Sequence, residues 1–301
     1  MQLTYHVLDV FTDTRFGGNP LAVVLEADGL DARRMQTLAR EFNLSETVFV
    51  LKPQNPAHTA RVRIFTPASE LPFAGHPTVG AAALLAEIRA TAPPGDALVV
   101  LEQAIGIVRA GVRLRSGAPP YAEFTAPKLP AEAGSLVPSE RLAAGLGLIP
   151  AEIGFENHRP TKYTVANAFA FVPVASLDAM AKARVAQPHW DSALKGQGLT
   201  GAFLYCRQTV HTTSHFHARV FAPDLGIPED PATGAAAVAF AGVVQHFDRL
   251  PDGQHKRLIE QGYEMGRPSL IALTMEVDGG KLAAVRIGGH AVRVAEGKIE
   301  V

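Results

Sequence analysis

The sequence predicts an α+β fold built as two related halves, on three observations. The chain has 301 residues with 47% hydrophobic content, enough for two cores and more than a typical single domain needs. Its strand-like segments come as neighbouring hairpin-like pairs, with few helices between them, rather than as an alternating βαβ series. And it echoes itself. Arg63–Pro67 (RIFTP) matches Arg219–Pro223 (RVFAP), an offset of 219 − 63 = 156, and His76–Ala83 (HPTVGAAA) matches Asp230–Ala237 (DPATGAAA), an offset of 230 − 76 = 154. A third echo aligns Asn19 with Asn167, an offset of 148. Repeats at about half the chain length are the mark of a duplicated unit.

Taken in order, residues 3–10 alternate as a strand, Asp13–Pro20 (DTRFGGNP) is a turn-rich loop, and Leu21–Leu25 is a buried strand. Asp31 opens a helix to about Glu41, with Met35, Leu38 and Phe42 on one face. Glu46 then lies where a loop enters the strand Val48–Leu51. Residues 60–66 form the strand before a helix at about 77–90; 97–101 and 105–112 pair as a hairpin, and Glu123–Phe124 is a short strand. The Pro- and Ala-rich stretch Pro127–Pro138 is the best boundary between halves, followed by helices near 139–146 and 176–184. Strands are expected at 201–206, 213–222, 268–277 and 282–287, and the tail from Gly289 as an edge hairpin.

The repeated helix starts carry the chemistry. A helix start leaves backbone N–H groups unpaired and bears partial positive charge, so two of them would make a pocket for a carboxylate or an enolate-like oxygen. Gly75, Gly80 and Gly234 would let backbone approach a ligand closely. Asp230 has the residue type and position of a cap opening the second helix. Unlike ionisable groups, His76 and Asp230, flank the two starts, which suits moving a proton between two positions of one bound molecule.

Composition narrows the classes. With 28 Lys+Arg against 29 Asp+Glu the net charge is −1, which gives no drive toward nucleic acid or an anionic membrane. The single cysteine, Cys206, allows no internal disulfide and no cysteine-based zinc site. No basic leader or long apolar run opens the sequence, so a cytoplasmic chain is expected. No G-x-G-x-x-G follows a strand and no G-x-x-x-x-G-K-[ST] occurs, so a nucleotide-binding loop is not expected. His215 and His217 have a ligand-like spacing but no third ligand, so they are assigned to sheet packing and no metal is expected.

Together FTDTRFGGNPLAVV, NLSETVFV, ELPFAGHPTVGAA, EDPATGAAA, EQGYEMGRPS and VRIGGHAVRV make the chain resemble, over nearly its whole length, the PhzF-like isomerases of phenazine biosynthesis, related in fold to diaminopimelate epimerase. The resemblance implies two pseudo-symmetric halves, each a strongly twisted, mostly antiparallel sheet around a central helix. It implies a division into 1–118 plus 286–301 and 119–285 with the active-site cleft between them, no cofactor, and a homodimer. Carried over, the acid/base glutamate falls on Glu46, with His76 and Asp230 completing the catalytic set. Asn19, Gly75, Gly234 and Ala235 fall at substrate-binding positions, and Arg267 in a family-like stretch could reach a carboxylate. The family commonly has Ser where this chain has Ala235, and there is no cysteine where the epimerases carry their catalytic pair. The implied activity is cofactor-independent proton and double-bond transfer on a small carboxylate. An epimerase or racemase, or a noncatalytic binding protein, are the alternatives.

Overall fold

The computed structural model describes residues 1–90 and 95–301. It has the predicted mixed α+β character, rich in strands with few helices. The chain divides into two compact units, Met1–Pro127 with Arg286–Val301, and Lys128–Val285.

In the first unit β1 (Gln2–Val10) pairs antiparallel with β2 (Asn19–Val24). Helix α1 (Ala32–Phe42) follows, opened by Asp31, whose Oδ1 accepts the Arg34 N–H at 2.8 Å, and closed by Asn43 in the left-handed conformation. It buries Met35, Leu38 and Ala39 against Val24, Phe49 and Phe65. β3 (Glu46–Leu51) then joins β2 in parallel, and β4 (Ala60–Phe65) pairs antiparallel with β3 and with the two-residue β5 (Glu70–Leu71). Helix α2 (Gly75–Arg89) is buried on every side from Gly75 to Ala86. Its run of Ala, Val and Leu has no polar face, which is the signature of a helix inside a core. β6 (Gly95–Gln103) lies parallel to β4, and β7 (Gly106–Arg115) and β8 (Ala118–Thr125) follow as antiparallel neighbours.

The second unit repeats this order of pairings. After β9 (Ala131–Glu132) and α3 (Ser139–Gly145), β10 (Thr161–Thr164) pairs antiparallel with β11 (Ala168–Pro173). Helices α4 (Leu177–Lys182) and α5 (His189–Ala193) precede β12 (Gly201–Cys206), which is parallel to β11. β13 (Phe216–Ala222) is antiparallel to β12 and to β14 (Ile227–Asp230). Helix α6 (Gly234–Asp248) comes next, then β15 (Gly253–Gln261), parallel to β13, and β16 (Ser269–Asp278), antiparallel to β15. Strand alternation sorts the side chains. Ala170, Val172, Ala202 and Leu204 pack under α3 to α5 with Leu142, Leu146 and Trp190, while Phe171, Phe203, Tyr205 and Phe216 stack around Phe240 of α6.

β17 (Lys281–Glu300) corrects one expectation. The tail is no edge hairpin. From Arg286 onward this single strand lies between β8 and β1, antiparallel to both, and so closes the first unit into a ring of eight strands among the described residues. The register explains why. An edge strand leaves its outward-facing N–H and C=O groups unpaired, and β17 satisfies both edges, pairing with β8 over 286–290 and with β1 over 291–300. Helix α2 packs against β1, β2, β3, β6, β7 and β8, inside that ring. β8 also carries the first unit past the expected boundary at 118, because its residues pair with β7 and β17. No helix of the described residues is long and apolar enough to cross a membrane.

Candidate active site

In the first unit three of the expected residues come together. Glu46 is the first residue of β3, in parallel register with Leu21, so it stands beside the start of β2, whose first residue is Asn19. His76 is the second residue of α2. Its Nδ1 lies 3.4 Å from Glu46 Oε2 and 3.3 Å from Asn19 Nδ2. All three are buried. Burial drives the His76 pKa down to about 3, against an opposing interaction with the Pro20 backbone. The imidazole is therefore neutral at neutral pH, and its approach to Glu46 is not an ion pair. A neutral imidazole has one N–H. With that proton on Nε2, Nδ1 can accept from Asn19; with it on Nδ1, the ring can donate toward Glu46. The ring thus stands beside Glu46 as an uncharged neighbour, with the Asn19 amide and the Pro20 backbone as its own partners.

The loop before Asn19 is held by Asp9, whose Oδ2 accepts the Phe16 N–H at 2.6 Å. Phe16 is left-handed and exposed. Gly75 opens α2 directly after Ala74, whose side chain offers no cap. The helix thus has no intrahelical partner for the Gly75 and His76 N–H groups, while Pro77 has none to offer. Gly80 serves a different purpose from the one expected. A Cβ there would meet Leu21 Cδ2 at 2.5 Å and Val10 Cγ2 at 2.8 Å, so its lack of a side chain lets α2 approach β1 and β2.

In the second unit Asp230 is buried at the end of β14. It does not cap α6, contrary to the expectation from its residue type. Thr233 occupies the cap position, yet makes no side-chain cap bond. Its hydroxyl instead donates to Asp230 Oδ2 at 2.6 Å. Gly234 is the first residue of α6, with Ala235 beside it, half-buried. Gln261, fully buried, holds this turn: its Nε2 donates to the Asp230 carbonyl at 2.7 Å and to Thr233 Oγ1 at 3.0 Å, and its Oε1 accepts the Thr233 N–H at 3.1 Å. Gly262 follows with φ +80°, and a Cβ on it would lie 2.4 Å from the Arg267 carbonyl oxygen and 2.6 Å from that of Pro231. Arg267 contributes its backbone to this turn through an N–H bond to the Gly262 carbonyl.

The residues around Gln261 escaped the sequence reading, though a signal was there. Glu102-Gln103 ends β6 and Glu260-Gln261 ends β15, an offset of 260 − 102 = 158, close to the other repeats. The two pairs are used alike. Glu102 accepts the Gln54 and Asn55 N–H groups and faces His58 Nδ1, while Glu260 accepts the Val210 and His211 N–H groups and faces His217 Nδ1. Gln103 donates to Thr78 in the first turn of α2, as Gln261 does to Thr233.

His217 sits between Glu260 and Glu264, at 2.8 and 2.9 Å, and His215 Nδ1 accepts the Leu258 N–H, so both histidines are occupied in joining strands. No cluster suited to a metal ion occurs among the described residues. Cys206 is buried, and burial pushes its thiol up to about 12, far from the thiolate a nucleophile needs.

Residues 8–297 match the phenazine biosynthesis-like (PhzC-PhzF) family. An uncharacterized isomerase of Mesorhizobium japonicum is 50% identical over 98% of both chains. The trans-2,3-dihydro-3-hydroxyanthranilate isomerase of Pseudomonas aeruginosa is 34% identical over 98% of both. A Bacillus anthracis phenazine biosynthesis protein of the PhzF family superposes with a TM-score of 0.89 over the full length of both chains at 26% identity. The match spans nearly the whole chain, and the chain belongs to the phenazine biosynthesis-like family, whose named relatives include isomerases.

Proposed function

We propose that the chain is a cofactor-independent isomerase that moves a proton, and with it a double bond, on a small carboxylate. Glu46 takes a proton from an activated carbon, the electron pair shifts along the adjoining double bond, and the same carboxyl group returns the proton at the far carbon. Nothing is added or lost. The backbone N–H groups at the start of α2, with His76 and Asn19 beside Glu46, hold the substrate anion and orient its polar groups, and Asp230, Gly234 and Ala235 form the corresponding helix start of the second unit.

The observation that carries this reading is the contact of Glu46 with a neutral, buried imidazole. A carboxylate that must both take and give a proton works best when its neighbour neither neutralises it as a cation nor hydrates it as bulk water would. His76, kept uncharged by burial, meets both conditions. The Pseudomonas relative's name supplies the first substrate to try, trans-2,3-dihydro-3-hydroxyanthranilate, and Ala235, in a position where the family commonly has Ser, argues for trying other cyclic and amino carboxylates beside it.

The finer architecture belongs to the same proposal. Each unit runs antiparallel, parallel, antiparallel, parallel, antiparallel through its successive strand pairs, and each has a 15-residue apolar helix among its strands. These agreements support descent of both units from one duplicated half.

The test is solvent deuterium incorporation, read by mass spectrometry, into the dihydrohydroxyanthranilate and the carboxylate panel. Incorporation by the wild type that disappears in Glu46→Gln supports the assignment. A folded Glu46→Gln variant with full exchange removes Glu46 from the mechanism.

A further inference from the structure

The turn that carries Asp230 has a feature its local sequence does not explain. Threonine is a strong helix cap, and Thr233 stands at the cap position of α6 with its hydroxyl turned away from the helix. The hydrogen-bond geometry gives the reason.

The Thr233 backbone N–H can only donate, so the Gln261 atom 3.1 Å away is the oxygen. The Asp230 carbonyl can only accept, so the Gln261 atom 2.7 Å from it is the nitrogen. These two backbone groups fix the amide orientation, which coordinates alone leave ambiguous. The second hydrogen on Nε2 then faces Thr233 Oγ1 at 3.0 Å, and the hydroxyl must accept it. Thr233 has one hydroxyl hydrogen left to give, and its acceptor is Asp230 Oδ2 at 2.6 Å. An oxygen that receives an O–H bond of this kind is the unprotonated one.

We infer that Gln261 is a positioning residue of the candidate site, acting through Thr233. By directing the Thr233 hydroxyl to Asp230, it commits Asp230 Oδ2 as a hydrogen-bond acceptor, so that any proton Asp230 carries or passes resides on Oδ1. By the same act it withdraws Thr233 from capping α6, and the side chain takes none of the N–H groups of Gly234, Ala235 and Ala236. A small carboxylate or enolate oxygen is the ligand chemistry those groups suit. Gly262 completes the device, because a Cβ on it would lie within 2.6 Å of the backbone carbonyl oxygens of Pro231 and Arg267, leaving no room for a side chain that would push Gln261 and the Asp230 turn apart. The importance of this for catalysis rests on the isomerase reading above; the hydrogen-bond direction does not.

The experiment is carboxyl-carbon NMR of the full chain labelled with ¹³C at aspartate, at one fixed pH, with the Asp230 signal assigned by its loss in Asp230→Asn. The Asp230 resonance is expected to move in Thr233→Val, which removes the hydroxyl, and to stay in place in Thr233→Ser, which keeps it. Gln261→Met is expected to move it as Thr233→Val does and to slow amide exchange at Ala236, as the freed Thr233 turns to cap α6. An unmoved resonance in a folded Thr233→Val chain overturns the inference, as does a Thr233→Ser chain that behaves like Thr233→Val. Should Gln261→Met not fold, the two Thr233 variants decide. Deuterium incorporation into trans-2,3-dihydro-3-hydroxyanthranilate and the carboxylate panel, run on the same proteins, separates the two readings: wild type without exchange on any compound but with the expected NMR pattern sinks the isomerase reading and leaves the positioning of Asp230 standing.

Discussion

His217 and Glu260 meet at 2.8 Å with both side chains withdrawn from solvent. Glu264 approaches the other ring nitrogen at 2.9 Å, so one imidazole joins β13, β15 and the turn after β15. Burial alone would lower the His217 pKa, but hydrogen bonds and charge from the two carboxylates raise it to about 9. The ring is a cation at neutral pH, held between two anions.

That arrangement makes stability depend on pH in a stated direction. A histidine whose folded pKa lies above its unfolded value stabilises fully below about 6.5 and progressively less as pH rises through its folded pKa. For His217 the loss falls between about pH 6.5 and about 9 and is of the order of 3 kcal/mol. The melting temperature should therefore fall from pH 6.5 to 9.5 in the wild type, and fall less over the same range in His217→Gln. Equal slopes in the two proteins would show that the ring does not titrate there.

His76 should behave in the opposite way. With its pKa lowered to about 3 by burial, the ring keeps one charge state from pH 5 to pH 9. Its ring-nitrogen NMR shifts should be flat over that range, unlike those of a free model imidazole, which titrates near about 6.5. A midpoint between 5 and 9 would restore an ion pair with Glu46 and remove the argument built on a neutral neighbour.

Glu46→Gln is close to isosteric, and it should leave the melting temperature within about 1 kcal/mol of the wild type in stability terms. Solvent-hydrogen exchange into the substrate should fall by roughly 10²–10⁴-fold, the range for loss of a general acid/base. Loss of stability comparable to the loss of rate would mean that Glu46 serves the fold.

Gly262→Ala should be costly. Its left-handed φ is unfavourable to any side chain, and the new Cβ meets backbone oxygens at 2.4 and 2.6 Å, which cannot rotate aside. Together these effects should cost about 2–5 kcal/mol, read by urea unfolding. A matched Gly279→Ala, also at positive φ but with nothing near its Cβ, should cost only the conformational part. Equal costs would show that the turn around Pro231 gives way freely.

Much of the site was legible in the chain because it depends on short-range rules. Glu46 follows a loop and begins an apolar run, so its place at a strand start needed no tertiary information. The helix beginning near His76 was read from small residues after a proline-containing turn, and its true start is Gly75. Asp230 shows where such rules end. Its type and position suit a helix cap, but Thr233 and Gln261 claim the surrounding hydrogen bonds, and Gln261 is 31 residues away. β15 was missed altogether, since GQHKRLIEQ has few apolar residues and no regular alternation.

The sequence by itself determined the mixed α+β character, the internal echoes, the two apolar helices and the residues that carry ionisable chemistry, because repetition, periodicity and residue type are properties of the chain. Only the tertiary structure decided which of them act on one another. His76 reaches Asn19 across 57 residues, and the ring around α2 closes only when β17 inserts between β1 and β8. Strand pairing satisfies backbone groups whatever the side chains are, so the residue pattern of the tail fits a hairpin and a closing strand equally. What selects between them is the pair of open edges waiting in the rest of the fold.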